Sequence, residues 1–247
     1  MAKLSSEFLD YLASHQNRVN SQNSNGWETC GLPSLQELSR ELGLSVSSLR
    51  EQLEVAKALG LVEIKPRTGI RRLPYSFSPA VQQSLTYAIA TDWNHFLTYS
   101  DLRNHIETAY WDEAARKLTA DDRLILRLLI SRAWEKLSGQ PVQIPHQEHR
   151  QLHLQIFSRL DNPFVMGLLE AFWNAYESVG LNLYADYDYL RQVWTYHQVM
   201  VEAIEAENYE KGFKALVLHR DLLSHRPNPA ASNSDLSIQN TLRARFE

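Results

Sequence analysis

The sequence predicts a mainly α-helical protein, with one small β-hairpin near the N-terminus followed by an all-α antiparallel helical bundle. Two observations support this fold class. Beyond about residue 81 the apolar residues recur at spacings of three and four, which is the helical period. Strand-like alternation is absent from that part of the chain and appears only around a Pro-Arg-Thr-Gly turn in residues 61–73.

The composition is that of a globular protein with a sizeable core. The chain has 247 residues, of which 44% are hydrophobic and 22% charged, enough for one large or two ordinary domains. Cys30 is the only cysteine, so an internal disulfide and a metal site of several thiolates are both excluded. The N-terminus lacks the apolar run of a signal peptide, and no segment approaches the roughly 20 apolar residues of a membrane span. We therefore expect no membrane partner and a cytoplasmic location.

The charges are unevenly distributed along the chain. The net charge is −4, yet residues 1–73 carry nine Lys and Arg against eight Asp and Glu. Five of these basic residues lie close together, with Glu63 as the only acid among them: Lys57, Lys65, Arg67, Arg71 and Arg72. Because binding to a nucleic-acid backbone depends on local charge more than on the total, this cluster is compatible with a DNA partner.

The first 73 residues contain the elements of a winged helix-turn-helix. Apolar spacing, capping serines and stopping glycines predict three helices, at about residues 5–14, 34–42 and 45–60, and residues 61–73 follow as a β-hairpin. The last two helices are joined by a glycine turn, which makes a helix-turn-helix. In a winged helix the second of these helices enters the major groove of DNA, and the basic hairpin lies along the backbone.

Nine residues of this segment are candidate contacts to a double-stranded DNA operator. Their side chains can hydrogen-bond to phosphates and base edges or neutralise phosphate charge. They are Ser34, Gln36, Ser45, Ser47, Ser48, Arg50, Lys65, Arg67 and Arg71. Winged helices also serve as protein-interaction modules, and this pattern leaves that alternative open.

The rest of the chain divides into a linker, a helical domain and a tail. Residues 74–80 contain a proline at each end of a short stretch without helical period and form the predicted linker. The helical domain, residues 81–225, holds predicted helices at about 81–90, 93–118, 120–137, 145–160, 163–179, 187–206 and 209–224. Residues 226–247 are predicted to be a flexible tail, in which Ser234 could cap a short helix.

The stretch EHRQLHLQIFSRLDN places His149 and His153 four residues apart, which is about one helical turn. Two imidazoles so spaced lie on one side of a helix and can bind the same metal ion. The alternative is that they are hydrogen-bonded core histidines, as histidines on an apolar helix face usually are.

The N-terminal segment resembles the DNA-binding part of the GntR family of bacterial transcription regulators. The matching residues follow the order of that family's motifs: Leu32, Pro33, Ser34, Leu38, Gly43, Ser45, Arg50, Leu53, Gly60, Leu61, Val62 and Gly69. Two positions that usually hold arginine hold Gln36 and Val46 instead. The resemblance implies DNA binding through Arg50 and the wing, but with a different operator.

The helical domain resembles the FCD ligand-binding domain of the FadR subfamily within GntR. His153 precedes an Asn-Pro pair by nine residues, and His197 and His219 follow at a separation of 22, as in that domain. Arg103 and Glu107 match the R-x-x-x-E of its early helix. The resemblance implies a metal site that includes these three histidines.

The main departure from this pattern is His149, which stands where the family has an aspartate. A set of His149, His153, His197 and His219 offers four imidazoles, which suit Zn²⁺, Ni²⁺ or Cu²⁺ better than Mg²⁺ or Ca²⁺. We expect a divalent transition metal, Zn or Ni. Binding through three histidines, with His149 turned away, is the alternative.

An effector pocket beside the metal is the second expectation from the resemblance. Arg103 could pair with a small anionic effector through its bidentate guanidinium. Tyr187 and Tyr196 belong to an aromatic-rich stretch and are the candidate wall residues. The alternative is that these aromatic side chains form core and dimer interface.

Together these features predict a dimeric, sequence-specific DNA-binding transcription regulator, controlled by a small effector, a metal or both. An enzyme is not expected, because no general acid or base can be assigned beside the histidines. Two alternatives stay open: a metal-dependent hydrolase, and a regulator that acts through protein contacts.

Overall fold

The computed structural model of the chain describes residues 6–15, 31–66, 69–180, 186–220 and 222. The chain divides into two compact units, Met1–Ser84 and Leu85–Glu247. Among the described helices, none is long and apolar enough to cross a membrane.

The first unit has the element order of a winged helix-turn-helix. The helices are α1 (Glu7–Ser14), α2 (Leu35–Leu42) and α3 (Val46–Ala58), and the strands are β1 (Val62–Lys65) and β2 (Gly69–Arg72). The strands pair antiparallel in a register that runs from Val62↔Arg72 to Lys65↔Gly69. The predicted helices and hairpin are thus confirmed.

Local chemistry fixes the helix-turn-helix. The Ser34 hydroxyl accepts from the Glu37 amide, and the Glu37 carboxylate accepts from the Ser34 amide, so α2 begins in a capping box. Gly43 ends α2 with a φ of 67°, a left-handed conformation that favours glycine. Ser45 then caps α3 by accepting from the Ser48 amide at 3.1 Å.

The unit's core joins α1 to the helix-turn-helix and the wing. Its fully buried side chains include Phe8, Leu38 and Leu49. The side chain of Gln52 in α3 accepts from the Phe8 amide at 2.9 Å, and the guanidinium of Arg72 donates to the carbonyl of Leu12. These polar contacts fix α1 against α3 and β2, because burial alone is not directional.

The predicted linker is shorter than expected. Helix α4 spans Ser78–Thr91, so residues 78–80 of the predicted linker 74–80 form its first turn. Pro79 is compatible with that position, because the first turn of a helix does not use its amide hydrogens. A Cβ on Gly60, which follows α3, would lie 2.4 Å from Cγ of Pro79. The absence of a side chain at Gly60 therefore lets the first turn of α4 pack against it.

The second unit contains α5 (Asn94–Lys117), α6 (Ala120–Ser138), α7 (His146–Phe157), α8 (Pro163–Ser178), α9 (Tyr187–Glu205) and α10 (Tyr209–Arg220). These helices begin at or within one residue of their predicted starts. The end of the last predicted helix and the tail at residues 226–247, with the helix considered at Ser234, lie outside the described residues.

Close packing between α5 and α10 depends on a glycine. The fully buried Trp111 donates its indole N–H to the carbonyl of Tyr209 at 2.9 Å. A Cβ on Gly212 would lie 2.5 Å from Cζ2 of Trp111, closer than carbon atoms can approach. The missing side chain therefore lets the indole lie directly against the backbone of α10, the helix that carries His219.

Candidate metal centre

Three helices bring the four predicted histidines together. His149 and His153 come from α7, His197 from α9 and His219 from α10. One ring nitrogen from each can be chosen so that all four lie within 4.8 Å of one another. The Nε2 atoms of His153 and His197 are 3.1 Å apart. All four proposed ligands are thus assembled at one place.

The helical period explains this convergence. His149 and His153 are one turn apart and lie on the same side of α7. On α9, His197 lies in the buried stripe of Val193, Met200 and Val201, at helical spacings of three and four. His219 occupies the same kind of position on α10, three residues after the buried Leu216. Each histidine therefore points inward because its neighbours on the stripe are core residues.

Unsatisfied nitrogens distinguish this cluster from ordinary core histidines. Nε2 of His149, Nδ1 of His197 and Nδ1 of His219 are buried without a hydrogen-bond partner. A buried polar atom in that condition costs about 1–3 kcal/mol. Lone pairs directed at a metal ion would satisfy such nitrogens, so the donor set fits a metal, and the alternative of hydrogen-bonded core histidines does not explain these atoms.

The electrostatic state of the cluster also fits metal binding. Burial lowers the pKa of His149, His197 and His219 well below the usual value, and the neighbouring histidines and Arg103 lower the pKa values further. Burial likewise lowers the pKa of His153. Neutral imidazole is the form that binds metals. The rings are therefore ready as ligands near neutral pH.

A buried ion pair lies against this cluster. Nε of Arg103 and Nδ1 of His153 lie 2.9 Å and 3.1 Å from the same oxygen of Glu107. Burial opposes ionisation of Glu107, but Arg103 and His153 together lower its pKa below the usual value. Nη2 of Arg103 lies 2.9 Å from Nδ1 of His153 and 3.3 Å from its Nε2. The sequence matched Glu107 to the R-x-x-x-E motif, which puts both side chains on one side of α5, but gave it no role at the histidines.

Four neutral nitrogen donors define the kind of ion that fits. Zn²⁺, Ni²⁺ and Cu²⁺ accept imidazole readily, whereas Mg²⁺ and Ca²⁺ prefer oxygen. Such an ion would tie α7, α9 and α10 together, and it would act as a Lewis acid toward any further ligand. The chain's own residues supply the positions of the rings and the exclusion of water.

A small pocket opens beside the cluster. Its enclosed volume is about 10 Å³, and its walls include Arg103, His149, Trp173, Tyr176 and Tyr189. That volume is about what one water molecule needs. The indole nitrogen of Trp173 is buried there without a hydrogen-bond partner. An indole N–H only donates, so an acceptor atom, rather than a metal, would satisfy it.

The two tyrosines proposed for the pocket wall do not line it. Tyr187 is the first residue of α9 and is 44% exposed. Tyr196 packs against the hydrophobic core instead. The tyrosines that do line the pocket are Tyr176 of α8 and Tyr189 of α9. Which aromatic side chains line the pocket depends on which flank of each helix faces the histidines. Arg103 is part of the pocket, as expected.

The predicted DNA contacts differ in what their side chains do. Ser34 and Ser45 are helix caps, so their hydroxyls are already used within the unit. Ser48 is half-buried, and its amide donates to Ser45. The exposed side chains on the helix-turn-helix include Gln36, Ser47 and Arg50.

The wing residues are only partly available. Lys65 is exposed and pairs with Glu63 at 3.0 Å. Arg71 is half-buried and lies opposite Glu63 in the hairpin register, with a further bridge to Gly31. Arg67 lies outside the described residues. Of the predicted contacts among the described residues, Gln36, Ser47, Arg50 and Lys65 are exposed and do not cap a helix.

Comparison with known proteins agrees with both units. The chain is similar to a GntR protein of Streptococcus agalactiae, at 15% identity and a TM-score of 0.59, over 87% of this chain and 98% of that one. Escherichia coli McbR/YncC shows 17% identity over 88% and 95% of the two chains, but its TM-score of 0.41 is too low to support a fold argument. A search of curated proteins found no significant match.

The helical unit is identified by its sequence. Residues 99–222, half of the chain, match the model of the FCD domain. This range contains all four histidines, Arg103 and Glu107. The match confirms the predicted domain, and the structural similarity confirms the fold of a GntR-type regulator, whereas assignment to the FadR subfamily stays a prediction. The chain therefore belongs to the FCD-domain family.

Proposed function

We propose that the chain is a dimeric, sequence-specific DNA-binding transcription regulator whose DNA affinity is controlled at the four-histidine site. The observation that carries this proposal is the combination in one chain of a winged helix-turn-helix with an FCD domain that assembles a buried histidine cluster. Such a protein works on DNA in the cytoplasm, and the proposal includes no catalytic step.

The DNA-binding step uses the exposed face of the first unit. Ser47 and Arg50 lie in the N-terminal half of α3, where a recognition helix contacts base edges. Arginine can bind guanine through two hydrogen bonds, and Lys65 on the wing can neutralise phosphate charge. Two such units in a dimer would read two half-sites, so a small change in their relative placement would alter the affinity.

The control step uses the second unit. A Zn or Ni ion held by the four histidines would have ligands from three different helices. Its binding would therefore stabilise the arrangement of the bundle in which these helices bring the histidines together. A small anionic effector would sit in the pocket, where Arg103 and the indole N–H of Trp173 can both donate. The pocket volume of about 10 Å³ admits a water-sized group as it stands.

The hydrolase alternative is less well supported by the site. Glu107 is the carboxylate nearest to the histidines among the contacts described, and it is 1% exposed. It already binds both Arg103 and His153, so it has no freedom to take a proton from water. A regulator acting through protein contacts has one supporting observation: Glu51 and Glu54 are exposed on α3 and would repel phosphate.

Binding to the chain's own promoter region tests the proposal. Fluorescence anisotropy at several salt concentrations should show an affinity that falls steeply with salt, as counterion release requires. Arg50→Ala should weaken binding by about 1–3 kcal/mol, whereas Arg116→Ala, which removes an exposed arginine paired with Asp112 in the other unit, should not. Absence of salt-sensitive binding to any DNA would contradict the proposal and favour the protein-contact alternative.

A further inference from the structure

Helix α6 carries an apolar stripe that faces solvent. Ile125 is 43% exposed and Leu128 is 47% exposed, and Leu124 beside them is 50% exposed. Asp121 and Arg132, both exposed, continue the stripe at its two ends. The positions 121, 125, 128 and 132 follow spacings of four, three and four, which is the seam spacing of paired helices. This side of α6 therefore has the pattern of a surface that packs against another helix.

Other sides of α6 already have partners. Leu126, Leu129 and Ala133 are buried in the core of the second unit. Arg123 pairs with Glu207, which follows α9, and Arg127 pairs with Glu205, the last residue of α9. The exposed stripe is thus a separate face, left over after α6 has packed into its own bundle.

The charges at the ends of the stripe are opposite, and both side chains are exposed to solvent. Within the described part of the chain, the side chains of Asp121 and Arg132 form no hydrogen bond or close ion pair, although the charge of Asp121 acts on Arg159. The stripe is also symmetric about the midpoint between residues 126 and 127. Ile125 and Leu128 are equally far from that midpoint, and so are Asp121 and Arg132.

This symmetry makes the stripe complementary to itself. When two copies of α6 lie antiparallel across a two-fold axis through the midpoint, Ile125 of each copy meets Leu128 of the other. Asp121 of each copy then meets Arg132 of the other, so two ion pairs close the two ends. A two-fold interface requires this reciprocity, in which each surface contains both halves of every contact.

We propose that this stripe, defined by Asp121, Ile125, Leu128 and Arg132, binds the same stripe of a second copy of the chain in antiparallel orientation. The inference rests on the dimer in the proposed function and identifies the surface that forms it. The apolar pair supplies the burial, and the end charges set the antiparallel direction and the register. A parallel pairing would place Asp121 against Asp121 and Arg132 against Arg132, which is repulsive.

Reciprocal charge variants test the pairing directly. Asp121→Lys and Arg132→Glu should each raise the dimer dissociation constant about tenfold, because each places like charges at both ends of the seam. A mixture of the two variants should form a heterodimer, since Lys then meets Glu at one end and the native Asp meets the native Arg at the other. Sedimentation velocity of the full chain over a range of concentrations measures both effects.

Two further variants complete the experiment. Leu128→Lys should raise the dissociation constant more than either charge variant, because it puts a charge against Ile125 of the second copy. Glu113→Lys reverses an exposed acid on α5 and should leave the dimer unchanged. Circular dichroism of each variant checks that the helical content is retained.

The outcomes separate the surface from the dimer itself. A wild type that is monomeric at every concentration would overturn the proposed dimer. A wild-type dimer that survives both charge variants and Leu128→Lys would overturn this surface and leave the dimer to another one. A wild-type monomer that dimerises only after deletion of residues 226–247 would show that the chain's own C-terminal segment covers the stripe, and this also overturns the proposal.

Discussion

Oε1 of Glu107 lies 3.1 Å from Nδ1 of His153, with both side chains almost completely buried. An ionised carboxylate can only accept, so a hydrogen bond between these two atoms requires the imidazole proton on Nδ1. Nη2 of Arg103 lies 2.9 Å from the same Nδ1 and, as a donor, competes for it. Nε2 then keeps its lone pair, and it is Nε2 that lies 3.1 Å from Nε2 of His197. Glu107 thus favours the tautomer in which His153 presents Nε2 to an ion.

Loss of this carboxylate should weaken metal binding. We expect Glu107→Ala to lower the Zn²⁺ affinity about 10- to 100-fold, the range found for partners of metal-binding histidines. Glu107→Gln should recover part of the loss, because its amide oxygen still accepts from His153. Competition with a chromophoric chelator measures both affinities.

The control for this experiment is Asp122→Ala. Asp122 is also a buried carboxylate of the second unit, but its partners are Thr119, Gln155 and Arg159 rather than a proposed ligand. Its loss should destabilise the fold without changing the Zn²⁺ affinity. Equal affinities in Glu107→Ala and the wild type would show that Glu107 serves only as the counter-ion of Arg103.

The histidine cluster itself can be tested by thermal unfolding. Zn²⁺ at about 100 times its dissociation constant should stabilise the wild type by about 2.7 kcal/mol, which raises the Tm by several degrees for a chain of this size. The double variant His153→Ala/His197→Ala should show no such rise. His105→Ala, which removes an exposed histidine paired with Asp101, is the matched control.

Protein purified without a histidine tag is the required material. If neither Zn²⁺ nor Ni²⁺ raises the Tm of the wild type by more than it raises the Tm of the double variant, the four histidines do not form a metal site. The orphaned nitrogens of His149, His197 and His219 would then need water as their partner.

Gly212 gives a prediction in which two effects have opposite signs. Helix propensity alone would make Gly212→Ala stabilising by about 1 kcal/mol. The new methyl group would however lie 2.5 Å from the buried ring of Trp111, and overpacking of this kind costs about 1–3 kcal/mol. We expect a net loss of stability in urea unfolding. Gly31→Ala, where no atom lies within 4 Å of the added Cβ, is the control. Stabilisation by Gly212→Ala would show that α10 moves away at little cost.

Asp122 should contribute stability that is lost in acid. Arg159 donates to its carboxylate at 2.7 Å, and together with Thr119 it holds the pKa of Asp122 below its usual value, although burial opposes this. The unfolded chain therefore binds the proton first, at about pH 4, and stability falls as the pH drops below that value. Because Arg159 is half-exposed, the contribution is on the order of 1–2 kcal/mol.

Urea unfolding at several pH values measures this contribution. Asp122→Asn should be less stable than the wild type at pH 7, and the difference should shrink toward pH 3. A difference that does not change with pH in Asp122→Asn would mean that its carboxylate charge contributes nothing.

Local signals in the sequence were sufficient to predict the secondary-structure elements and to single out the four histidines that cluster. Ser34, Gly43 and Ser45 specify the helix-turn-helix within a few residues of chain, and the four-residue spacing of His149 and His153 already places them on one side of α7. Contacts between distant helices carry no such local signal. The role of Glu107 depends on α5 lying against α7, and neither helix alone reveals it.

The same limit applies to the other candidate residues. Tyr187 and Tyr196 were chosen because the stretch around them is rich in aromatic residues, but only the packing of α9 determines that Tyr189 faces the histidines. Ser34 and Ser45 were read as DNA contacts from a motif. Their hydroxyls serve as caps because a helix start needs an acceptor for its free amide hydrogens, and that need is met within the chain.

Two indole rings lie in contact with the histidine cluster. The centroid of Trp173 is 4.7 Å from that of His149, and the centroid of Trp194 is 4.9 Å from that of His197. Ligand binding at the histidines therefore changes the immediate surroundings of two natural fluorophores. Intrinsic emission of the unlabelled protein should report occupancy of the site in real time, with a paramagnetic ion such as Ni²⁺ or Cu²⁺ quenching it and Zn²⁺ only shifting it.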